Sequence, residues 1–129
     1  MAFVNTLVSL YKNLNINDRL AKSLEKNSIL TATSNTFSID PNTSNMFIIS
    51  ASSNSNITIA NLDSEYTTTG SVISILLTLS TGVVISWPNT IKWQNETAPT
   101  LSHKNLITLM HFGENNWYGG SIEIDNDYS

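Results

Sequence analysis

The feature that most constrains this chain is the shortness of its apolar runs. From Ile29 onward, apolar residues come in short segments separated by turn-forming residues, and the longest is "SVISILLTLS" at 71–80. Its alternation predicts a strand whose buried face carries Ile73, Ile75, Leu77 and Leu79. Thr81-Gly82 after it predicts a hairpin turn from which "VVISW" returns. About seven such segments, at spacings of roughly 8–12 residues, predict a β-sandwich or a compact barrel.

Composition supports the same fold class. About 50 of the 129 residues are Asn, Ser or Thr, and only 12% are charged. These residues disfavour long helices and suit strands and side-chain-bonded turns. We therefore predict an all-β fold, a small antiparallel β-sandwich of jelly-roll-like type, occupying residues 31–129 as one domain.

Residues 1–30 differ in character and are predicted to form an N-terminal arm. The segment "NDRLAKSLEKN" at 17–27 concentrates helix formers. Together with Ile16 just before it, the segment places Ile16, Leu20 and Leu24 on one stripe. The preceding "FVNTLVSLYK" suits either a strand or one or two helical turns. The apolar stripe suggests a docking or oligomerisation element that packs against copies of the chain or against a partner protein.

Charge is distributed unevenly along the chain. The net charge is −4, and beyond Lys26 only Lys92 and Lys104 offset eight acidic residues. The main body therefore lacks the basic surface that binding to DNA or RNA requires, and no nucleic-acid partner is expected. The first residues contain neither a basic segment followed by a long apolar run nor a membrane-spanning stretch, which predicts no signal peptide and no membrane contact.

The sequence shows no pattern typical of a metal, cofactor or nucleophile site. The chain contains no cysteine, and its two histidines, His103 and His111, are eight residues apart. A zinc site needs ligands at closer spacing or brought together by folding, so we expect no metal and no cofactor. No serine lies in a G-x-S-x-G elbow, which argues against a hydrolase triad.

A pair of acidic residues can indicate a glycosidase, because such enzymes use two carboxylates. One group lies in a predicted turn and the other alternates near the C-terminus, as expected for solvated charges. We therefore predict no catalytic residues and no enzymatic activity. The carboxylates in question are Asp63, Glu65, Glu123, Asp125 and Asp127.

The aromatic residues allow two interpretations. In "ISWPNTIKWQNETAPTLS", Trp87 and Trp93 lie six residues apart around a proline and a lysine, and Trp117 and Tyr118 follow later. The rings could offer a stacking surface to a sugar, or they could pack inside a small fold that has no disulfide. Packing is favoured, because large rings bury the most apolar area per residue.

Three segments together resemble a β-structured module of tailed-bacteriophage virion proteins: "ISWPNTIKWQNETAPTLS", "NLITLMHF" and "NNWYGGSIEI". The resemblance lies in the order and spacing of a Trp-Pro strand end, an Ile-Lys-Trp, a loop reaching Ala-Pro, an apolar strand and a closing Trp-Tyr-Gly. It covers roughly residues 30–124. The residues that carry it are Trp87, Pro88, Lys92, Trp93, Pro99, Phe112, Trp117, Tyr118 and Gly119.

The resemblance implies a structural role in a virion. Members of that family form parts of tail fibres, head fibres or capsid decorations, often as trimers and without a cofactor. It therefore predicts a homo-oligomer, expected to be a trimer, that docks on another capsid or tail protein. The alternative is a fibre-tip domain that binds a host surface glycan through Trp117, Tyr118 or His111.

Overall fold

The computed structural model describes residues 28–62 and 70–128. Within these ranges the chain forms nine strands and a single 3-10 turn at Gln94–Glu96. The strands are β1 Ser28–Ile29, β2 Thr36–Ile39, β3 Met46–Ala51, β4 Ser55–Ile59, β5 Ser71–Leu79, β6 Ile85–Ser86, β7 Ile91–Trp93, β8 Lys104–His111 and β9 Trp117–Asp125.

The first six strands alternate between two sheets. β1, β3 and β5 lie side by side in a large sheet, and β2, β4 and β6 form a small sheet, with every neighbouring pair parallel. The chain therefore winds around the space between the sheets, each winding giving one strand to each sheet. We call β1 to β6 the wound region.

The last three strands complete the large sheet in a different manner. β8 pairs antiparallel with β5, β9 pairs antiparallel with β8, and the short β7 pairs parallel with β9. The large sheet thus has the order β1-β3-β5-β8-β9-β7. We call β7 to β9 the closing region.

The all-β class and its sandwich-like arrangement of two sheets are confirmed, but the strands pair in both directions and are not all antiparallel as predicted. In the described part of the chain, five strand pairs are parallel and two are antiparallel. Thr81-Gly82 suggested a hairpin that returns beside β5. Instead, a turn in which Val83 N–H donates to Ser80 O (3.2 Å) leads the chain across to the small sheet.

The windings differ in length, so they do not produce a regular repeat in the sequence. Ser28 pairs with Phe47, 19 residues later, whereas Met46 pairs with Ser74, 28 residues later. A wound fold is normally recognised in a sequence by a constant repeat length. Here no single period exists, so the sequence shows only a succession of short strands.

The core lies between the two sheets and combines both regions. The predicted buried face of β5 is confirmed, since Ile73, Ile75 and Leu77 are fully buried and Leu79 nearly so. Burial of each such side chain contributes about 1.5–3 kcal/mol. The other buried apolar residues are Phe37, Ile39, Phe47, Ile49, Ala51, Ile57, Ile85, Ile91, Ile107, Leu109 and Trp117.

Asparagine side chains connect successive windings. Asn54 Oδ1 accepts the backbone N–H of Val84 (2.8 Å), and Asn42 Nδ2 donates to the backbone oxygen of Asn61 (2.9 Å). Such bonds satisfy backbone groups at the corners, where the sheet ladders end. This is one physical use of the Asn-rich composition.

The predicted arm falls almost entirely outside the described residues, including Ile16, Leu20 and Leu24. Its last three residues are described and belong to the large sheet. Ser28 and Ile29 form β1, and Leu30 N–H donates to Ile48 O (3.0 Å). In residues 28–62 and 70–128, no helix has the length and apolar character needed to cross a membrane.

Candidate functional site

The tryptophan pair forms a packed corner between β6 and β7. The rings of Trp87 and Trp93 meet edge to face, with centroids 5.1 Å apart and planes at 68°. Both are half-buried and pack against the core. Pro88 O accepts the N–H of Ile91 (3.2 Å), so the chain turns tightly between the two rings. This geometry matches the packing interpretation better than a pair of free sugar platforms.

Gly119 is required by the close approach of Trp93. The two residues are partners in the β7–β9 pair. A Cβ atom at Gly119 would lie 2.6 Å from Trp93 Cζ3 and 2.8 Å from Leu109 Cδ2. The ring therefore occupies the space that any side chain at 119 would need, and covers a glycine that would otherwise weaken the strand.

The loop after Trp93 points away from the core. Residues 94–98 are all exposed, as is Lys92, while Pro99 is half-buried. Asn95 and Glu96 both have positive φ values, 58° and 60°. Such backbone is uncommon for residues other than glycine, and it gives this loop a defined, tightly turned shape.

A cleft of about 330 Å³ lies at the end of the closing region. Its volume is at the lower end of the range of small-molecule sites. Described residues of β4, β8, β9 and the connections between strands contribute to it. They are Ile59, Ala60, Asn61, Leu62, Thr90, His111, Glu114, Asn115 and Trp117.

Two buried rings line the cleft. His111 and Trp117 are direct partners in the β8–β9 pair, and their rings meet edge to face with centroids 5.0 Å apart. His111 Nδ1 accepts the backbone N–H of Gly113 (3.2 Å), so a neutral ring carries its proton on Nε2. A neutral His111 can therefore offer a donor at Nε2, next to an apolar ring.

Glu114 connects the cleft to the exposed aromatic residues beside it. The hydroxyl of Tyr118 donates to Glu114 Oε2 (3.1 Å), and the rings of Tyr118 and Phe112 lie 6.0 Å apart. The hydrogen bond to Glu114, together with the negative charge of that carboxylate, raises the pKa of Tyr118 above its ordinary value of 10.0. The carboxylate is thereby held at the β8–β9 loop, where it also lines the cleft.

The remaining candidates from the sequence are not brought together. His103 precedes β8 and His111 ends it, a separation of about 27 Å along a strand at 3.4 Å per residue. His103 Nδ1 donates to Leu79 O (2.9 Å). Asp63 and Glu65 lie outside the described residues. Among residues that are described, no three His, Cys, Asp or Glu side chains form a group that could hold a metal ion.

Sequence reasoning found the aromatic residues of the cleft but missed its polar ones. Asn61, Thr90, Glu114 and Asn115 come from three separate connections. The run of polar residues at 114–116 immediately before Trp117 was the one local signal available. Asn61 and Thr90 could not have been found, because only the winding of the chain brings them to this end.

No family model matches the chain, and no curated protein or solved structure is similar enough to count as a match. The resemblance to the bacteriophage module accordingly stays a prediction drawn from the residues quoted above.

Proposed function

We propose that the chain is a structural subunit of a bacteriophage particle: a fibre, decoration or adaptor subunit located in the virion. It acts by assembling with copies of itself, as a trimer, and by docking on a capsid or tail protein. The phage assignment rests on the resemblance described above. Assembly is supported by one observation of the fold, the open edge of β9.

The second half of β9 is bonded on one side alone. β7 pairs with Trp117, Tyr118 and Gly119, so within the described ranges residues 120–125 have β8 as their only partner strand. Every residue from 120 to 125 is exposed, including Ile122 and Ile124. An open strand edge with apolar side chains is a ready site for strand addition by another chain.

Light scattering on the purified full-length chain tests this proposal. The wild type should have the mass of an oligomer. Ile124→Lys should shift it toward the monomer, because a charge on an edge strand opposes pairing. Val84→Lys is the matched control: Val84 is 60% exposed and Ile124 52%, but Val84 precedes β6 in the small sheet. A monomeric wild type, or equal effects of both substitutions, would contradict assembly through β9.

The virion assignment has its own test. Particles assembled with an epitope-tagged full-length chain should carry the tag, seen by gold labelling in electron micrographs. Particles made with the tagged Ile124→Lys chain should carry much less. Absence of the wild-type tag from purified particles would refute the assignment whatever the oligomeric state.

The cleft favours a second candidate function, recognition of a host surface glycan. Aromatic rings together with carboxylate and amide groups suit sugars, which present both C–H faces and hydroxyl groups. A glycan array probed with the wild type should then give a signal that Asn115→Ala and Glu114→Gln abolish. Glu96→Gln, on the exposed loop after Trp93, is the control. Signals unaffected by the cleft variants would exclude this function. We expect no turnover of any bound glycan.

A further inference from the structure

The outer face of the large sheet carries a continuous apolar row. Strand register places Ile29, Ile48, Leu76, Leu106 and Ile122 next to one another across β1, β3, β5, β8 and β9. At about 4.8 Å between strands, the row is about 19 Å wide. Its two ends are open, with Ile29 76% and Ile122 62% exposed.

Other apolar residues on the same face extend this row into a surface. Met46 is next to Ile48 on its strand and 43% exposed, whereas Val72 and Met110 are separated from the row by Ser74 and Thr108. Large apolar surfaces on a folded chain generally mark a site that another segment or molecule covers. We call this surface the outer apolar face.

We propose that residues 1–27 of the same chain cover the outer apolar face. That segment ends beside the outer apolar face. It joins the sheet at Ser28, next to Ile29 in the row itself. Leu24 is four residues earlier, so it can lie no more than about 14 Å from Ser28. β3 and β5 are about 5 and 10 Å from β1, which brings Ile48 and Leu76 within reach.

Residues 1–27 and the described part of the chain are complementary in apolar character and in charge. The sequence predicts a stripe of Ile16, Leu20 and Leu24 in a segment that carries four basic and two acidic residues. The described part of the chain carries six acidic residues and two lysines. Two of those acids, Asp125 and Asp127, lie at and just beyond the end of β9, near Ile122 at the end of the row, whereas Glu123 is opposite the core-facing Asn105 and lies on the other face. Apolar contact and charge therefore both favour the pairing.

A second copy of the chain would compete with residues 1–27 for the outer apolar face. A segment tethered by a few residues meets its site at an effective concentration on the order of millimolar. A second copy in a micromolar solution is present at about a thousandth of that. At equal intrinsic affinity, the tethered segment occupies the face. This inference does not depend on the virion assignment.

Disulfide trapping in the 129-residue chain tests the proposal, because its sequence contains no cysteine. Leu76→Cys is combined in turn with Ile16→Cys, Leu20→Cys and Leu24→Cys, and each pair is oxidised at low micromolar concentration. At least one pair should form an intrachain disulfide, identified by peptide mass and by a monomer band on a non-reducing gel. Thr58→Cys, exposed on the small sheet, replaces Leu76→Cys as the control and should give none.

Two outcomes would overturn the proposal. Covalent dimers without an intrachain product would assign the face to a second copy. If Leu76→Cys and Thr58→Cys form equal amounts of disulfide with the cysteines in residues 1–27, then that segment has no preference for the face. If Ile124→Lys prevents oligomer formation while the intrachain disulfide still forms, then oligomer assembly and coverage of the outer apolar face are independent. The two proposals can therefore be tested separately.

A second measurement does not depend on the geometry that a disulfide bond requires. Leu20→Asp in the full-length chain should uncover the face and increase the fluorescence of a hydrophobic dye severalfold. Ser23→Asp adds the same charge in the same segment and should leave the fluorescence at the wild-type level. Equal fluorescence in the two variants, with circular dichroism showing both folded, would contradict the proposal.

Discussion

The wound region and the closing region differ in how their strands meet. In the wound region, parallel strands alternate between sheets, and asparagine side chains such as Asn54 bond one winding to the next. In the closing region, two long antiparallel pairings hold the strands, and aromatic rings cover the end. The comparison shows that one core can be enclosed by long-range winding on one side and by direct antiparallel pairing on the other.

The largest expected effect tests whether the two regions unfold as one unit. Ile49→Ala removes a fully buried side chain from β3 in the wound region and should lower the free energy of unfolding by about 2–5 kcal/mol. Ser50→Ala, exposed on the same strand, should change it by less than about 0.5 kcal/mol.

Tryptophan fluorescence provides the diagnostic, because all three tryptophans lie after β6. If the core is shared, the fluorescence and circular dichroism transitions of Ile49→Ala should coincide and shift together in denaturant. A fluorescence transition that stays at the wild-type midpoint would mean that the closing region is a separate unit.

The next effect concerns the closing region alone. Gly119→Ala forces a Cβ atom against Trp93 and Leu109, so the free energy of unfolding should fall by about 1–3 kcal/mol. Gly120→Ala is the matched control, because nothing lies within 4 Å of a Cβ at that position. Equal denaturant midpoints for the two variants would contradict the close packing of Trp93 on β9.

A smaller effect is expected at the corners of the wound region. Asn54→Ala leaves the backbone N–H of Val84 without its side-chain acceptor and should cost about 0.5–1.5 kcal/mol. Ser52→Ala, exposed in the same connection, should be nearly neutral. If chemical denaturation gives the same midpoint for both, the asparagine bonds do not stabilise the windings.

The smallest effect is a titration. Since the pKa of Tyr118 is raised in the folded chain, its bond with Glu114 stabilises the fold below pH 10. That contribution is lost as the pH rises through the folded-state pKa. In Glu114→Gln, the tyrosinate absorbance at 295 nm should appear at lower pH, with Tyr118→Phe identifying the signal. Identical titration curves for Glu114→Gln and the wild type would argue against the bond.

The alternation of apolar and polar residues predicted the strands and the buried face of β5, because successive side chains of a strand point to opposite faces. The preference for packed tryptophans came from the large area of their rings, not from alternation, and Trp87 and Trp93 do pack against the core. Alternation did not predict strand direction, since a segment with period-two alternation suits a parallel or an antiparallel neighbour equally. For this reason, the turn at Thr81-Gly82 did not show which strand the chain pairs with next.

The sequence by itself determined that the chain is all-β, which residues of β5 are buried, and that the charge of its main body is acidic. Only the tertiary structure decided that the chain winds between two sheets, that Trp93 packs on Gly119, and that Asn61 and Thr90 line one cleft with His111. It also aligned Ile29 with Ile122 across five strands. The physical reason is strand register. The face to which a side chain points follows from its immediate neighbours in the sequence. Strand pairing joins residues that are tens of positions apart and therefore depends on the whole fold.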